Sequence, residues 1–103
     1  MIRVTLHSRG GSLTGFECVG HADYAEAGRD IVCAAVSALT VTCANALETV
    51  AGVAPLVRSR SGSMLLALPA GSGHDAQVIL KTLRQGLRDL AQAYPKYLLL
   101  KEN

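Results

Sequence analysis

The chain predicts an α/β domain with the element order β-β-α-β-β-α-β, a mixed sheet carrying two helices on one face. Three observations carry that prediction. The first 21 residues alternate apolar and polar positions around a Gly-Gly pair, as a hairpin does. Two long segments repeat their apolar residues at helical spacing. A Ser-Gly pair between two short apolar runs marks a second hairpin. Each half then supplies two strands and a helix, a weak internal repetition. At 103 residues the chain is of single-domain length, and we take 1–103 as one domain.

Residues 2–7, IRVTLH, set Ile2, Val4 and Leu6 against Arg3, Thr5 and His7, the pattern of a half-buried strand. Gly10, Gly11 and Ser12 mark the turn. Residues 13–21 give a second strand whose alternation is less clean, close enough in sequence to pair antiparallel with the first. His7 reads as a strand-surface histidine.

Ala22 to Arg29 joins small residues with Asp23, Tyr24 and Gly28, and it holds no strand pattern. Two readings fit: a mobile loop arching over Cys33, or an ordinary strand-to-helix connection. Gly28 permits a backbone shape that a side chain would strain. Asp30 is placed to cap the next helix by offering its carboxylate to the free amides of the first turn. Val32, Val36, Leu39, Cys43, Leu47 and Val50 then share one face of a helix running to about Ala51, with Gly52 as its stop. Thr40, Thr42 and Thr49 weaken the intrinsic helix propensity, so packing must hold this segment. Cys33, Ser37, Thr40 and Ala44 fall on the flank beside the apolar face.

Residues 54–60 and 63–68 flank Ser61 and Gly62 as a tight hairpin, and the nearly continuous MLLAL predicts the more central strand. Pro69 closes it. Residues 74–93 form the second helix, with Ile79, Leu83, Leu87, Leu90 and Tyr94 on one face and Ser72 with Asp75 as a capping pair. Gly86 costs roughly 1 kcal/mol relative to alanine unless close packing offsets it. Pro95 ends the helix. KYLLLK, 96–101, gives a final strand that either sits inside the sheet or is covered by a partner subunit.

Composition narrows the function classes. Apolar residues make up 50% of the chain and aromatics only 4%, so the core is aliphatic and alanine-based. A net charge of +2 is too weak to argue for nucleic acid. Cys18, Cys33 and Cys43 are odd in number and have no CxxC spacing, which speaks against a disulfide framework or a four-cysteine metal site. His21, Cys33, Cys18 and Asp30 lack the close pair spacing of structural zinc, and no GKS or GKT follows the glycines. The N-terminal MIRVTLHSR has no signal-peptide run, and no stretch reaches about 18 consecutive apolar residues. The expectation is a cytoplasmic, reducing setting with no metal, no organic cofactor and no membrane partner.

The chemistry concentrates between Gly20 and Leu39, GHADYAEAGRDIVCAAVSAL. His21 ends a strand, and Cys33 lies in the first turn of a helix. Such a pair can close across one loop, giving a base beside a thiol whose negative charge the helix N-terminus favours. His21 would accept the thiol proton and return it to the leaving amine. First-turn amides would support the sulfur or an acyl oxyanion. Asp30 either orients His21 or serves only as the cap. Ser37 either donates to sulfur, oxyanion or substrate, or bonds back to the Cys33 carbonyl. The plainer alternative is a satisfied histidine and a packed thiol.

The same segment resembles the defining stretch of the ribosomal-processing cysteine protease family, the Prp proteins, through GHA, Tyr24, Gly28 and DIVCAAVSAL in one order. The resemblance implies a catalytic dyad of His21 and Cys33, with Asp30 and Ser37 as supporting polar residues. It implies a substrate loop, including Ala22, Asp23, Tyr24 and Gly28, that orders when peptide binds. It also implies a homodimer that removes the N-terminal extension of large-subunit ribosomal protein number twenty-seven, without a cofactor. Its partners would be that precursor or its N-terminal peptide, with possible ribosome association. Two alternatives remain beside it. One is a non-catalytic ribosome-associated assembly factor using a basic helix surface, and the other is a thiol hydrolase with a different substrate.

Overall fold

The computed structural model describes residues 1–26 and 29–103. Its elements follow the expected order: β1 (Ile2–Arg9), β2 (Ser12–Val19), α1 (Ile31–Thr49), β3 (Leu56–Arg60), β4 (Ser63–Ala67), α2 (His74–Ala93) and β5 (Leu98–Glu102). One five-stranded sheet runs in the order β3-β4-β2-β1-β5. Neighbours pair antiparallel except β1 and β5, which are parallel, so the sheet is mixed. All of the apolar MLLAL run but Leu68 accordingly lies in β4, inside the sheet, while β3 is exposed along its whole length. The final strand is at the opposite edge. It buries Leu98 but leaves Leu99 half exposed, so of the two expected positions it is not the interior one.

The irregular alternation of β2 has a local cause. His7 faces Gly15, yet the next residue, Ser8, faces Leu13, so β2 carries one extra residue at Thr14. That bulge puts both Leu13 and Phe16 on the buried side although their positions differ by an odd number. The side-chain amide of Gln77 on α2 completes the irregular region. It accepts from the Leu13 N–H at 2.8 Å and donates to the Leu13 carbonyl at 2.7 Å, acting as a missing strand partner. Gly15 belongs to the same arrangement, because a Cβ there would lie 2.1 Å from the Leu66 carbonyl oxygen.

The core joins Val4, Leu6, Phe16, Leu66 and Leu98 of the sheet to Val32, Val36, Cys43 and Leu47 of α1 and Ala76, Leu80, Leu83 and Leu87 of α2. Two details depart from the helical pattern read in the sequence. Thr40 is buried and satisfies its hydroxyl on the Val36 carbonyl at 2.9 Å, which lets a threonine occupy a core position. Val50 is exposed, because it is the C-cap residue of α1 rather than part of its packed face. Gly52, at φ +68, turns the chain away. On α2, Gly73 is the N-cap, and Ser72 donates to the Pro69 carbonyl instead of accepting from a helix amide. Gly86 lets the two helices approach closely: a Cβ there would sit 2.9 Å from Leu39 Cδ1. By length and composition alone Ile31–Thr49 would suffice to cross a membrane, although polar residues interrupt its apolar run. Its Val32, Val36, Cys43 and Leu47 nevertheless pack against this fold's core.

Candidate active site

Three segments converge at one end of the sheet: the end of β2, the start of α1 and the β3–β4 turn. The register of β2 on β4 sets Val19 opposite Ser63, and the Gly20 N–H donates to the Gly62 carbonyl at 2.8 Å. His21 therefore leaves the sheet directly beside the hairpin tip. On the helix side, Asp30 holds an extended φ/ψ and accepts from the Val32 and Cys33 amides at 3.0 and 2.9 Å through Oδ1. Its Oδ2 accepts from the Tyr24 N–H at 3.0 Å. The carboxylate thus fixes both the helix start and the preceding loop. The bond from the Cys33 amide above all, opposed by desolvation and reinforced by the bond from the Tyr24 amide, holds its carboxyl below the usual range.

His21 and Cys33 line the same two cavities, of about 180 and 550 Å³. Ser37, one turn after Cys33, lines both as well. Asp30 and Asp23 border only the larger one, whereas Cys18, Met64, Arg60 and Gly62 border only the smaller. The Cys33 sulfur accepts a hydrogen bond from the Ala22 N–H at 3.2 Å. Among the described residues no hydrogen bond joins His21 to Cys33, and none joins Asp30 to His21. Two of the first-turn amides expected to serve sulfur or an oxyanion are already taken by the cap, so the loop, through Ala22, supplies the donor at the sulfur.

Ala22 itself is buried, and Tyr24 anchors the loop against the far end of the chain. Its ring meets Tyr94 and Tyr97 edge-on, with centroids 5.8 and 5.0 Å apart. The side chain of Asp23 is exposed and lies 3.6 Å from the N-terminal ammonium. Gly28 lies outside the described residues.

The other two cysteines behave differently. Burial pushes the Cys43 thiol up to about 11, consistent with a packing role. Burial also raises the Cys18 thiol, and negative charge on Cys33 adds to the effect. Met64, Arg60 and Gly62 reach the site only because the sheet order brings the β3–β4 hairpin to β2, whereas Cys18, weighed above only as a zinc ligand, lies on β2 itself. The Ser61-Gly62 turn was legible, but its neighbour was not. No metal-binding cluster of histidine, cysteine or carboxylate occurs among the described residues. On the basic surface of α2, Arg88 is engaged by Glu102 in a two-bond pair at 2.8 and 2.6 Å.

Comparison with known proteins gives a consistent picture. The family model described as cysteine protease Prp matches residues 1–99. The ribosomal processing cysteine protease Prp of Bacillus subtilis is 42% identical over 60 residues, a match spanning 55% of this chain and 52% of that protein. The essential ribosomal processing protease Prp from S. aureus, solved with a covalently linked product peptide, superposes with a TM-score of 0.95 at 28% identity over the full length of both chains. A solved Streptococcus mutans protein is 34% identical with a TM-score of 0.83, covering 99% of this chain and 93% of its own.

Proposed function

The chain belongs to the cysteine protease Prp family, and from that premise we propose that it is a single-domain cysteine endopeptidase, residues 1–103, using Cys33 and His21 as its dyad. The observation that carries the reading is the convergence on Cys33. Its sulfur receives the Ala22 amide, and it shares both flanking cavities with the His21 side chain. The thiol comes from the start of α1 and the imidazole from the loop after β2.

In the proposed reaction Cys33 Sγ attacks the scissile carbonyl carbon as His21 takes the thiol proton. The C–N bond then breaks, and the new N-terminus leaves with a proton returned from His21. Water adds to the resulting thioester, again giving its proton to His21, and the S–C bond breaks to release the carboxylate product and restore the thiol. The Ala22 N–H supports negative charge at sulfur before attack and when the thioester opens. Asp30 keeps the helix start and Tyr24 in register and so places Cys33 and Ala22 relative to each other. Ser37, on the rim of both cavities, is a donor toward bound peptide. Ala22, Asp23 and Tyr24, with Gly28, form the substrate loop. No metal or organic cofactor enters any step.

By membership in this family, and by the names of the Bacillus and Staphylococcus relatives, the substrate is a ribosomal precursor. Specifically, it is the N-terminal extension of large-subunit ribosomal protein number twenty-seven, cut in the cytoplasm. The homodimer rests on the outer face of the helix pair. Val78, about half exposed, lines a groove of about 400 Å³ there together with Ala38, Leu39, Ala46 and Ile79. Acid-quenched mixtures of enzyme and a peptide spanning the extension, mapped by mass spectrometry, test the chemistry. The expected result is an acyl group on Cys33 that His21→Ala fails to accumulate. A peptide cut without any Cys33 adduct, and cut equally by Cys33→Ala, would overturn it.

A further inference from the structure

The imidazole of His21 is solvent-exposed, so core packing does not fix its orientation. A catalytic base on an exposed side chain needs some other constraint. The β3–β4 turn provides one. A Cβ built on Gly62 would lie 2.9 Å from His21 Nε2, 3.5 Å from Cε1 and 3.6 Å from Cδ2, so the Nε2 edge of the ring stands against the bare Cα of this glycine. The turn is itself anchored one residue before the histidine, through the Gly20 N–H bond to the Gly62 carbonyl.

We propose that Gly62 is the positioning residue of the dyad: by lacking a side chain it admits the His21 ring to the place from which it serves Cys33. The proposal rests on the dyad reading given above. Gly62 has φ +75, which alone favours glycine in the turn. Gly52 and Gly71 share that left-handed backbone, at φ +68 and +73, yet a Cβ on either would meet nothing within 4 Å. The approach to the imidazole therefore separates Gly62 from these two turn glycines and provides an internal control for backbone strain.

A methyl group at Gly62 would press on the ring and force it to turn away. The backbone has little freedom to yield, since the hairpin is held on β2 from Val19 to Gly15. The ring moves first, because it is exposed. Turning the imidazole away takes the proposed base from the Cys33 thiol, so an electrophile reacts more slowly where that base is needed and no differently where hydroxide can take the proton.

The test measures iodoacetamide alkylation at Cys33, read by peptide mass mapping across pH 5.5 to 9.5. Wild type is compared with Gly62→Ala, Gly62→Asn, Gly52→Ala and His21→Ala. Asparagine tolerates a left-handed φ better than alanine and covers the case in which Gly62→Ala fails to fold. The expected result is a Gly62→Ala or Gly62→Asn rate about three- to tenfold below wild type at pH 6.5, converging with it at high pH, as for His21→Ala. Gly52→Ala keeps the wild-type profile. A wild-type profile in a folded Gly62 variant, with His21→Ala altered, overturns the positioning role alone. A wild-type profile in His21→Ala overturns the dyad reading and the proposal with it.

Discussion

Replacing Tyr24 with alanine tests how firmly the loop beside Cys33 is held. The ring makes two edge-on contacts, with Tyr94 and Tyr97, and each such contact contributes about 0.5–1.5 kcal/mol. Since Tyr24 is 41% exposed, the lower part of that range applies. The two contacts together then hold the loop by about 1–1.5 kcal/mol, and their loss raises the open population roughly five- to twelvefold. The amides of Ala22 and Tyr24 report opening directly, because they donate to Cys33 Sγ and Asp30 Oδ2. Hydrogen exchange followed by NMR should accelerate at these two amides by that factor, while β1 and β2 keep their protection. A Tyr97→Ala variant should show a smaller effect in the same direction, and the double variant should fall short of additivity. Unchanged exchange at both amides would refute the anchoring, as would an equal acceleration throughout the sheet.

Three further outcomes follow from the same contacts. Cys43 titrates near 11 when folded against an ordinary 9.0, so between those values the native state binds more protons than the unfolded state. Its stability contribution is complete below about pH 9 and declines by up to about 2–3 kcal/mol as pH rises to 11. Urea titrations of wild type and Cys43→Ala across this window should show the alkaline slope reduced in the variant. Gly15→Ala drives a Cβ into the Leu66 carbonyl, and its chemical denaturation midpoint should fall by the equivalent of about 2 kcal/mol or more; a wild-type midpoint would contradict the register. Val78→Asp places a charge on the exposed face of α2, in the groove between the helices. Under the homodimer proposal, light scattering should find this variant monomeric and wild type dimeric, because an unpaired charge buried at an interface costs about 3–5 kcal/mol.

Much of the architecture was legible because its causes are local. Ile2, Val4 and Leu6 declare β1, Asp30 declares the start of α1, and Ser61-Gly62 declares the second hairpin. The errors arose where a tertiary partner decides. Thr40 is acceptable in the core only because its hydroxyl folds back on Val36. The β2 alternation fails because of a bulge that Gln77 fills from a distant helix. Ser72 loses its capping role to a competing carbonyl at Pro69. In the site, the order His21, Asp30, Cys33, Ser37 was visible as one segment, and the loop-borne histidine and helix-borne cysteine do share their cavities. Which donor reaches the sulfur was not visible. The cap consumes the Val32 and Cys33 amides, so the Ala22 N–H takes that place. Nor does the linear chain bring Gly62 to His21, since that proximity depends on β4 pairing with β2.

The most direct test of the central claim is intact-mass analysis of the host's full-length large-subunit ribosomal protein number twenty-seven precursor after incubation with wild type, Cys33→Ala and His21→Ala. One defined N-terminal cut is expected from wild type, none from Cys33→Ala even though that variant still binds the precursor, and a severely slowed cut from His21→Ala. An uncut precursor that carries an authentic extension and is presented to folded wild type would contradict it, as would a cut that persists without Cys33.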